Sequence, residues 1–316
     1  YAGGRTENTI NMKIGIPRAL LYYRFDVLWL TYFKELGVDV VLSPPTDKTI
    51  LDAGNHYAID ENCLSSKLYF GHVAALSGKC DAVFVPRIAN YGSEGVLCSR
   101  FEALYDIVEN TFREEHMKFI CCDVDLQQKK TEKAAFEDLA VQLGKSSQEG
   151  ATAYEKAQAA AAQAQKQKNE QQTALMEKNG IKILVVGHPY NLHDEYIGKP
   201  IIKGLDSLGA IPILADAADP AAMRKEYPNL CKSVPWMINR ELVGAVNHYK
   251  DQVDGIILIT AFPCGPDSML NEMIIRRVKG KPILNLLLDS QDGNAGIETR
   301  LESFVDIIRF RKEAHV

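Results

Sequence analysis

The sequence predicts an α/β protein of two parallel-sheet units in pseudo-repeat, joined by a helical connector or cap. From Met12 onward, short apolar runs alternate with amphipathic segments, the pattern of parallel strands with crossover helices. The runs CDAVFVPRI (80–88) and DGIILITAF (254–262) resemble each other, each is third in its half, and each leads into a loop that carries a cysteine. Between the halves the alternation gives way to a stretch rich in Ala, Gln, Lys and Glu.

Taken in order, residues 1–11 are polar, Gly-rich and patternless, and read as an expression remnant or disordered leader before a native start at Met12. The first α/β domain, 12–130, is expected to hold strands at 13–17, 38–43, 81–86 and 118–123, with helices near 25–36, 65–77 and 99–112. The connector, 131–179, starts with a short amphipathic helix at 131–143 and a Ser/Gly break at 144–150. Its remainder, 151–179, combines high helix propensity with few large apolar residues, which predicts a long, largely solvated helix ended by Asn179-Gly180. It lacks the apolar a and d positions of a coiled coil. The second α/β domain, 180–316, repeats the plan, with strands at 182–187, 211–215, 254–260 and 282–288 and helices near 196–208, 235–249, 268–279 and 297–312, the last at the C-terminus.

A chain of 316 residues, 46% apolar and 24% charged, can bury one large core or two ordinary ones. Its longest apolar runs, 256–264 and 283–288, are far shorter than the roughly 20 residues that span a bilayer, and no signal-peptide core opens the chain, so neither membrane nor secretion is expected. A net charge of -5 without a basic stripe gives no footprint for nucleic acid. Seven cysteines, an odd number scattered through apolar contexts, fit a reducing cytoplasm. Without a glycine-rich phosphate loop, hydrolysis of a nucleotide by this chain is not expected.

Three cysteines, Cys63, Cys98 and Cys264, sit where a loop hands over to a helix. Ligands collect at the carboxyl ends of parallel strands, and helix N-termini favour thiolates. The three are separated by 34 and 165 intervening residues, so a metal site would have to be assembled by the fold. Each also reads as an ordinary small buried hydrophobe. Context favours the site: Cys264 lies in Pro263-Cys264-Gly265-Pro266, a rigid turn at a strand end. Cys121 and Cys122 belong to a strand and one or both read as core, and Cys80 and Cys231 have no distinguishing context.

An ordered set of motifs runs along the chain. Ile16-Pro17-Arg18-Ala19-Leu20-Leu21-Tyr22-Tyr23 is followed by Glu61-Asn62-Cys63-Leu64-Ser65-Ser66-Lys67 with Gly71-His72-Val73. Then come Val85-Pro86-Arg87, Cys98-Ser99-Arg100-Phe101, Gly187-His188-Pro189-Tyr190 and Pro263-Cys264-Gly265-Pro266-Asp267-Ser268. Together they resemble the 2-hydroxyacyl-CoA dehydratase and benzoyl-CoA reductase superfamily, in its branch of activase-related proteins. The resemblance runs from Met12 to about Arg311 and is weakest across 131–179.

That resemblance implies two Rossmann-like domains holding an iron-sulfur cluster on Cys63, Cys98 and Cys264. A [4Fe-4S] cluster on three thiolates keeps one iron open, which suits radical dehydration or reduction. A double-cubane [8Fe-9S] group would want about six thiolates and is the less favoured cofactor. The implied partners are an ATP-hydrolysing iron-sulfur activator that delivers one electron, an acyl-CoA or other small-molecule substrate, and a second, similar chain or a homodimer mate. An electron-transfer or cluster-carrier protein without its own substrate, and a non-redox zinc or small-ligand module, remain as alternatives.

Further polar residues flank these motifs. His188 is a candidate catalytic residue beside the cluster or substrate, as are Glu61, next to the first cysteine, and Glu272, one turn into a helix after the last. Lys67 and His72 read equally as helix-face residues. Arg18, Arg87 and Arg100 suit a cluster or a phosphate, although arginines at strand ends commonly pair with carboxylates. Asp267-Ser268 reads as an N-cap for a helix beginning near Met269. The chain departs from the family at 288–293, where Leu-Asp-Ser-Gln-Asp-Gly replaces an expected acidic-His pair before Gly296-Ile297-Glu298-Thr299-Arg300-Leu301-Glu302 resumes the pattern.

Overall fold

The computed structural model describes residues 12–290 and 294–314; the expected leader and positions 291–293 of the departing loop lie outside the described residues. The first half runs β1 (Lys13–Ile16), α1 (Tyr22–Glu35), β2 (Asp39–Leu42), α2 (Lys48–Tyr57), α3 (Leu64–Ala74), β3 (Ala82–Asn90), α4 (Ser99–Glu102), α5 (Leu104–Thr111) and β4 (Phe119–Asp125). Two helices follow, α6 (Glu132–Gln142) and α7 (Ser147–Met176). The second half runs β5 (Ile181–Val186), α8 (Pro189–Leu192), α9 (Gly198–Ser207), β6 (Ala210–Leu214), α10 (Pro220–Leu230), α11 (Met237–Tyr249), β7 (Gly255–Ala261), α12 (Gly265–Arg277), β8 (Ile283–Leu288) and α13 (Asn294–Ala314).

The strands form two four-stranded sheets, ordered β2-β1-β3-β4 and β6-β5-β7-β8, parallel throughout. The shared order makes the expected pseudo-repeat concrete. In each sheet the chain reverses its direction of travel between the first and third strands, so a ligand crevice is expected beyond the carboxyl ends of β1 and β3, and again beyond β5 and β7. The central strands explain themselves: β7 (GIILITA) is buried at every residue, as a strand covered on both faces must be.

One apolar core lies about the first sheet and takes in Tyr32, Phe33 and Phe84 together with Phe136, Leu139 and Tyr154 from α6 and α7. The second sheet has a core on each face. On one face Ile201 and Phe304 meet Ile50, Leu51, Leu64 and Leu68 from α2 and α3, so helices of the first half complete a core of the second. The other face packs α10, α11 and α12 through Met223, Leu242, Val246 and Leu270. Helices α2 and α3 pack closely enough to require glycine: a Cβ on Gly71 would lie 1.9 Å from the Ile50 carbonyl oxygen.

Several elements differ from the sequence expectation. The segment 99–112 breaks at Ala103 into α4 and α5, and α2 and α10 are additional helices. Helix α12 begins at Gly265 with Cys264 as its N-cap, so Asp267 stands inside the first turn instead of capping it. Helix α7 starts at a Ser146/Glu149 capping box and is not simply a solvated connector. Its Ala153 and Ala157 are buried in the first core, where small side chains permit close approach. Further along, the buried Gln172 accepts the Leu214 N–H at 2.8 Å, and Gln165 donates to the Ala217 and Ala218 carbonyls. The helix thus covers β6, an edge strand whose open side would otherwise invite pairing. Among the described residues no helix is long and apolar enough to cross a membrane.

Candidate functional site

Cys63, Cys98 and Cys264 are the N-cap residues of α3, α4 and α12, each with extended backbone. Cys98 follows β3 and Cys264 follows β7, the third strands of their sheets, while Cys63 opens the helix between β2 and β3. All three line one cavity of about 500 Å³ including its open mouth. Its walls are mostly apolar, with Leu20, Leu97, Phe101, Tyr190, Trp236 and Pro266 prominent. Ser66, Arg100, His188 and Asn239 supply polar groups, and Ser66 Oγ lies 3.2 Å from Cys63 Sγ.

Hydrogen bonds between the halves hold these walls together. The Leu64 N–H, next to Cys63, donates to the Phe262 carbonyl at 2.9 Å, just ahead of the Cys264 turn. Ser65 Oγ donates to Asn191 Oδ1 at 2.6 Å. The loop before Cys98 docks on the start of α11: Val96 N–H donates to the Pro235 carbonyl at 3.2 Å, and Met237 N–H to the Val96 carbonyl at 2.9 Å. Arg240 adds bonds to the carbonyls of Ser93 and Glu94. Gly95 makes this contact possible. Its φ is +128°, and a Cβ there would lie 2.9 Å from the Pro235 carbonyl oxygen.

The thiols are not indifferent to one another. Burial pushes Cys264 far up from the ordinary thiol range, and Asp267, Cys63 and Cys98 add to it. Burial also raises Cys98, against the backbone N–H and the guanidinium of Arg100. Ionising Cys98 and Cys264 in this cavity would therefore call for a positive partner, such as a metal ion. The donor set, three soft sulfurs on separate segments, suits iron or another thiophilic metal.

His188, the N-cap of α8, lines the cavity and stacks on Tyr190 with centroids 4.8 Å apart and planes 6° from parallel. Its Nε2 lies 2.8 Å from Asp267 Oδ1, which also accepts Asn239 Nδ2 at 3.0 Å. Burial pushes the Asp267 carboxyl up, but the imidazole and the hydrogen bonds to it outweigh burial and hold it below the usual range. An ionised carboxylate only accepts, so the network assigns the proton to Nε2. His188 Nδ1 is buried, without a hydrogen-bond partner among the described residues.

The other candidates lie elsewhere. Glu61 is exposed, and Glu272 is exposed and paired with Arg276 at 2.6 Å; neither lines the cavity. Arg87 reaches Asp106 and Asp123 at 3.9 and 4.0 Å. His72 is buried in a separate polar cluster with Ser43 and Thr46, while Lys67 does not line the cavity. Cys122 and Cys231 are core residues. Trp236 and Asn239 were missed, because nothing in their neighbourhood marks a site until α11 is folded against the Cys98 loop. Asp267 was read as a cap, and only the fold shows its carboxylate turned to His188.

Fold and site define a two-sheet α/β protein with a cysteine-lined cavity at the carboxyl ends of its strands. The chain belongs to the family described as the CoA enzyme activase uncharacterised domain, whose model matches residues 13–217. This fits the activase-related branch of the 2-hydroxyacyl-CoA dehydratase family. The matched region contains Cys63 and Cys98 and ends before Cys264. A comparison with curated proteins finds no match. Among solved structures, FpvC from Pseudomonas aeruginosa in complex with Mn2+ is 10% identical, with 96% of this chain and 99% of that one covered at a TM-score of 0.31. The crystal structure of ZnuA is 12% identical, with 94% and 98% covered at a TM-score of 0.27. Overlaps this loose carry no argument about ligand or role.

Proposed function

We propose that the chain is an iron-sulfur redox protein of the 2-hydroxyacyl-CoA dehydratase type, with Cys63, Cys98 and Cys264 holding a [4Fe-4S] cluster. The observation that carries this reading is that three cysteines far apart in sequence line a single cavity. A mononuclear zinc site is the second reading. Among the described residues no three His, Cys, Asp or Glu side chains are grouped closely enough to hold a single metal ion, so the support for either metal group is the shared cavity, and the family match favours the cluster. When bound, a cluster on three thiolates supplies low-potential electrons and one open iron.

The chain's own residues have separate tasks in this proposal. The backbone bonds at Leu64, Val96 and Met237 hold the cysteines from both halves in fixed relation. Leu20, Phe101, Tyr190 and Trp236 exclude water. His188, fixed at Nε2 by Asp267, holds or releases a proton at Nδ1 for a substrate in the cavity. An ATP-hydrolysing activator delivers the electron, and a short acyl-CoA or similar small molecule is dehydrated or reduced.

The test is iron, acid-labile sulfide and zinc per chain after anaerobic purification, with an electron paramagnetic resonance spectrum of the dithionite-reduced protein. About four irons and four sulfides support the proposal, and about eight irons point to the double cubane. Zinc alone, or no metal after reconstitution, overturns it. Unchanged iron in Cys98→Ser removes that residue as a ligand.

A further inference from the structure

The structure separates the arginines that flank the sequence motifs. Arg87 is held by carboxylates. Arg18 has a buried Nε without a partner among the described residues but does not line the cysteine cavity. Arg100, two residues past Cys98, does line it; its charge acts on the Cys98 thiol, but among the described residues its side chain makes no hydrogen bond, ion pair or ring contact. Among the described residues none that lines the cavity is Asp or Glu. A half-buried guanidinium in largely apolar surroundings has lost part of its hydration without a carboxylate to replace it. Its planar fork of donors matches a carboxylate in two parallel bonds, a geometry that an ammonium does not reproduce.

The rest of the wall sets what else the ligand can be. Phe101 follows Arg100 directly, its ring lies 6.1 Å from that of Tyr190, and Trp236 and Ile238 line the same cavity. The cavity holds about 500 Å³ including its open mouth and must also take any group on the three cysteines, so the body of a ligand must be short. We propose that Arg100 anchors the free carboxylate of a short ligand whose apolar body lies against Phe101, Tyr190 and Trp236. Of the substrates considered above, this selects a small molecule that keeps a free carboxylate over a simple monoacyl thioester, and it rests on the reading of the cavity as a reaction site. Arg100 is the residue that selects for charge, and the aromatic wall selects for an apolar body.

Calorimetric titration of the anaerobically purified chain with sodium butyrate tests this, with butanamide and inorganic phosphate as companion probes and iron measured on the same sample. Saturable binding of one butyrate per chain is expected, at least tenfold weaker in Arg100→Gln and partly recovered in Arg100→Lys. Butanamide, with the same body and no charge, is expected to bind at least tenfold more weakly than butyrate. This comparison needs no variant and holds whether or not Arg100→Gln folds. Equal binding of butyrate by the wild type and Arg100→Gln, equal binding of butyrate and butanamide, or no butyrate binding overturns the anchor. Phosphate bound more tightly than butyrate overturns the apolar body. Iron at about four per chain without butyrate binding defeats this inference alone, whereas butyrate binding without iron defeats the cluster reading and leaves Arg100 in place.

Discussion

Arg24 in α1 and Glu241 in α11 form a two-pronged ion pair across the halves, with Nη1 and Nη2 at 2.6 and 2.9 Å from the two carboxylate oxygens. Glu241 is buried and also pairs with Arg224, which reaches Glu94 at 3.0 Å. Glu94 lies in the loop that carries Cys98. This network joins α1 and the loop before Cys98 in the first half to α10 and α11 in the second. Removing one partner of a buried pair leaves the other charged and desolvated. Glu241→Ala is therefore expected to lower unfolding stability by about 3–5 kcal/mol in urea denaturation. Glu241→Met combined with Arg24→Met and Arg224→Met, which removes both of its cationic partners, is expected to restore much of the loss. A decrease below about 1 kcal/mol in the single variant would show that the pair does not hold the halves together.

His72 makes stability depend on pH. Burial, with help from Arg18, pushes its imidazole down from 6.5 to about 3, while Asp47 opposes the shift. Nδ1 meets Ser43 Oγ at 2.8 Å and Nε2 meets Thr46 Oγ1 at 2.9 Å, and Thr46 is bonded in turn to Asp194. A base whose folded pKa lies below its unfolded value gives stability that is complete above the unfolded pKa. This stability is lost as the pH falls, because the unfolded chain takes up the proton first. The loss is expected between pH 6.5 and about 3. Asp194, whose carboxyl burial raises, binds a proton more readily when folded and offsets part of it. His72→Asn should flatten the pH profile of the melting temperature over this window. Parallel profiles for the two proteins would rule His72 out as the source.

What could be read in advance follows from how local each signal is. The strands are apolar runs with helices between them, so their order along the chain and the repeated plan are visible without any long-range contact. Helix α2 was missed because it buries only Ile50, Leu51 and Gly54, and α10 because it buries only Met223 and contains Pro228. Asp219-Pro220, a capping acid with proline at the first helical position, was the available sign for α10. The cysteines were legible as a set through their loop-to-helix positions. Glu61 and Glu272 were proposed from proximity in sequence, which does not tell which side of a turn or a helix faces the cavity. The Trp236 and Asn239 wall depends on contacts across more than a hundred residues, beyond any local pattern.

Gly95 should be intolerant of a side chain. With φ at +128° and the Pro235 carbonyl 2.9 Å from where a Cβ would sit, alanine there must open the contact between the Cys98 loop and α11. Gly95→Ala is expected to lose about 1–3 kcal/mol of stability. It should also increase the rate at which iodoacetamide labels Cys98 in metal-free protein several-fold. Labelling at the wild-type rate would mean that the Val96–Pro235 and Met237–Val96 bonds do not determine access to the thiol.

Gln172 tests the role of the long helix. Its side-chain carbonyl accepts the Leu214 N–H at 2.8 Å and its amide donates to the Tyr249 hydroxyl at 3.2 Å, so one buried residue ties α7 to both β6 and α11. Alanine would leave the Leu214 N–H and the Tyr249 oxygen without these partners and uncover part of an edge strand. The expected cost is about 1–3 kcal/mol. Because β6 pairs on its other side with β5, the sheet itself should survive, and hydrogen exchange should accelerate most at Leu214. Helix α7 is anchored separately to the first core through Tyr154 and Ala157, so the first sheet should keep its protection. Equal acceleration in both sheets would instead make α7 a strut on which the whole molecule depends, and would assign the loss to the junction of the halves rather than to the edge of β6.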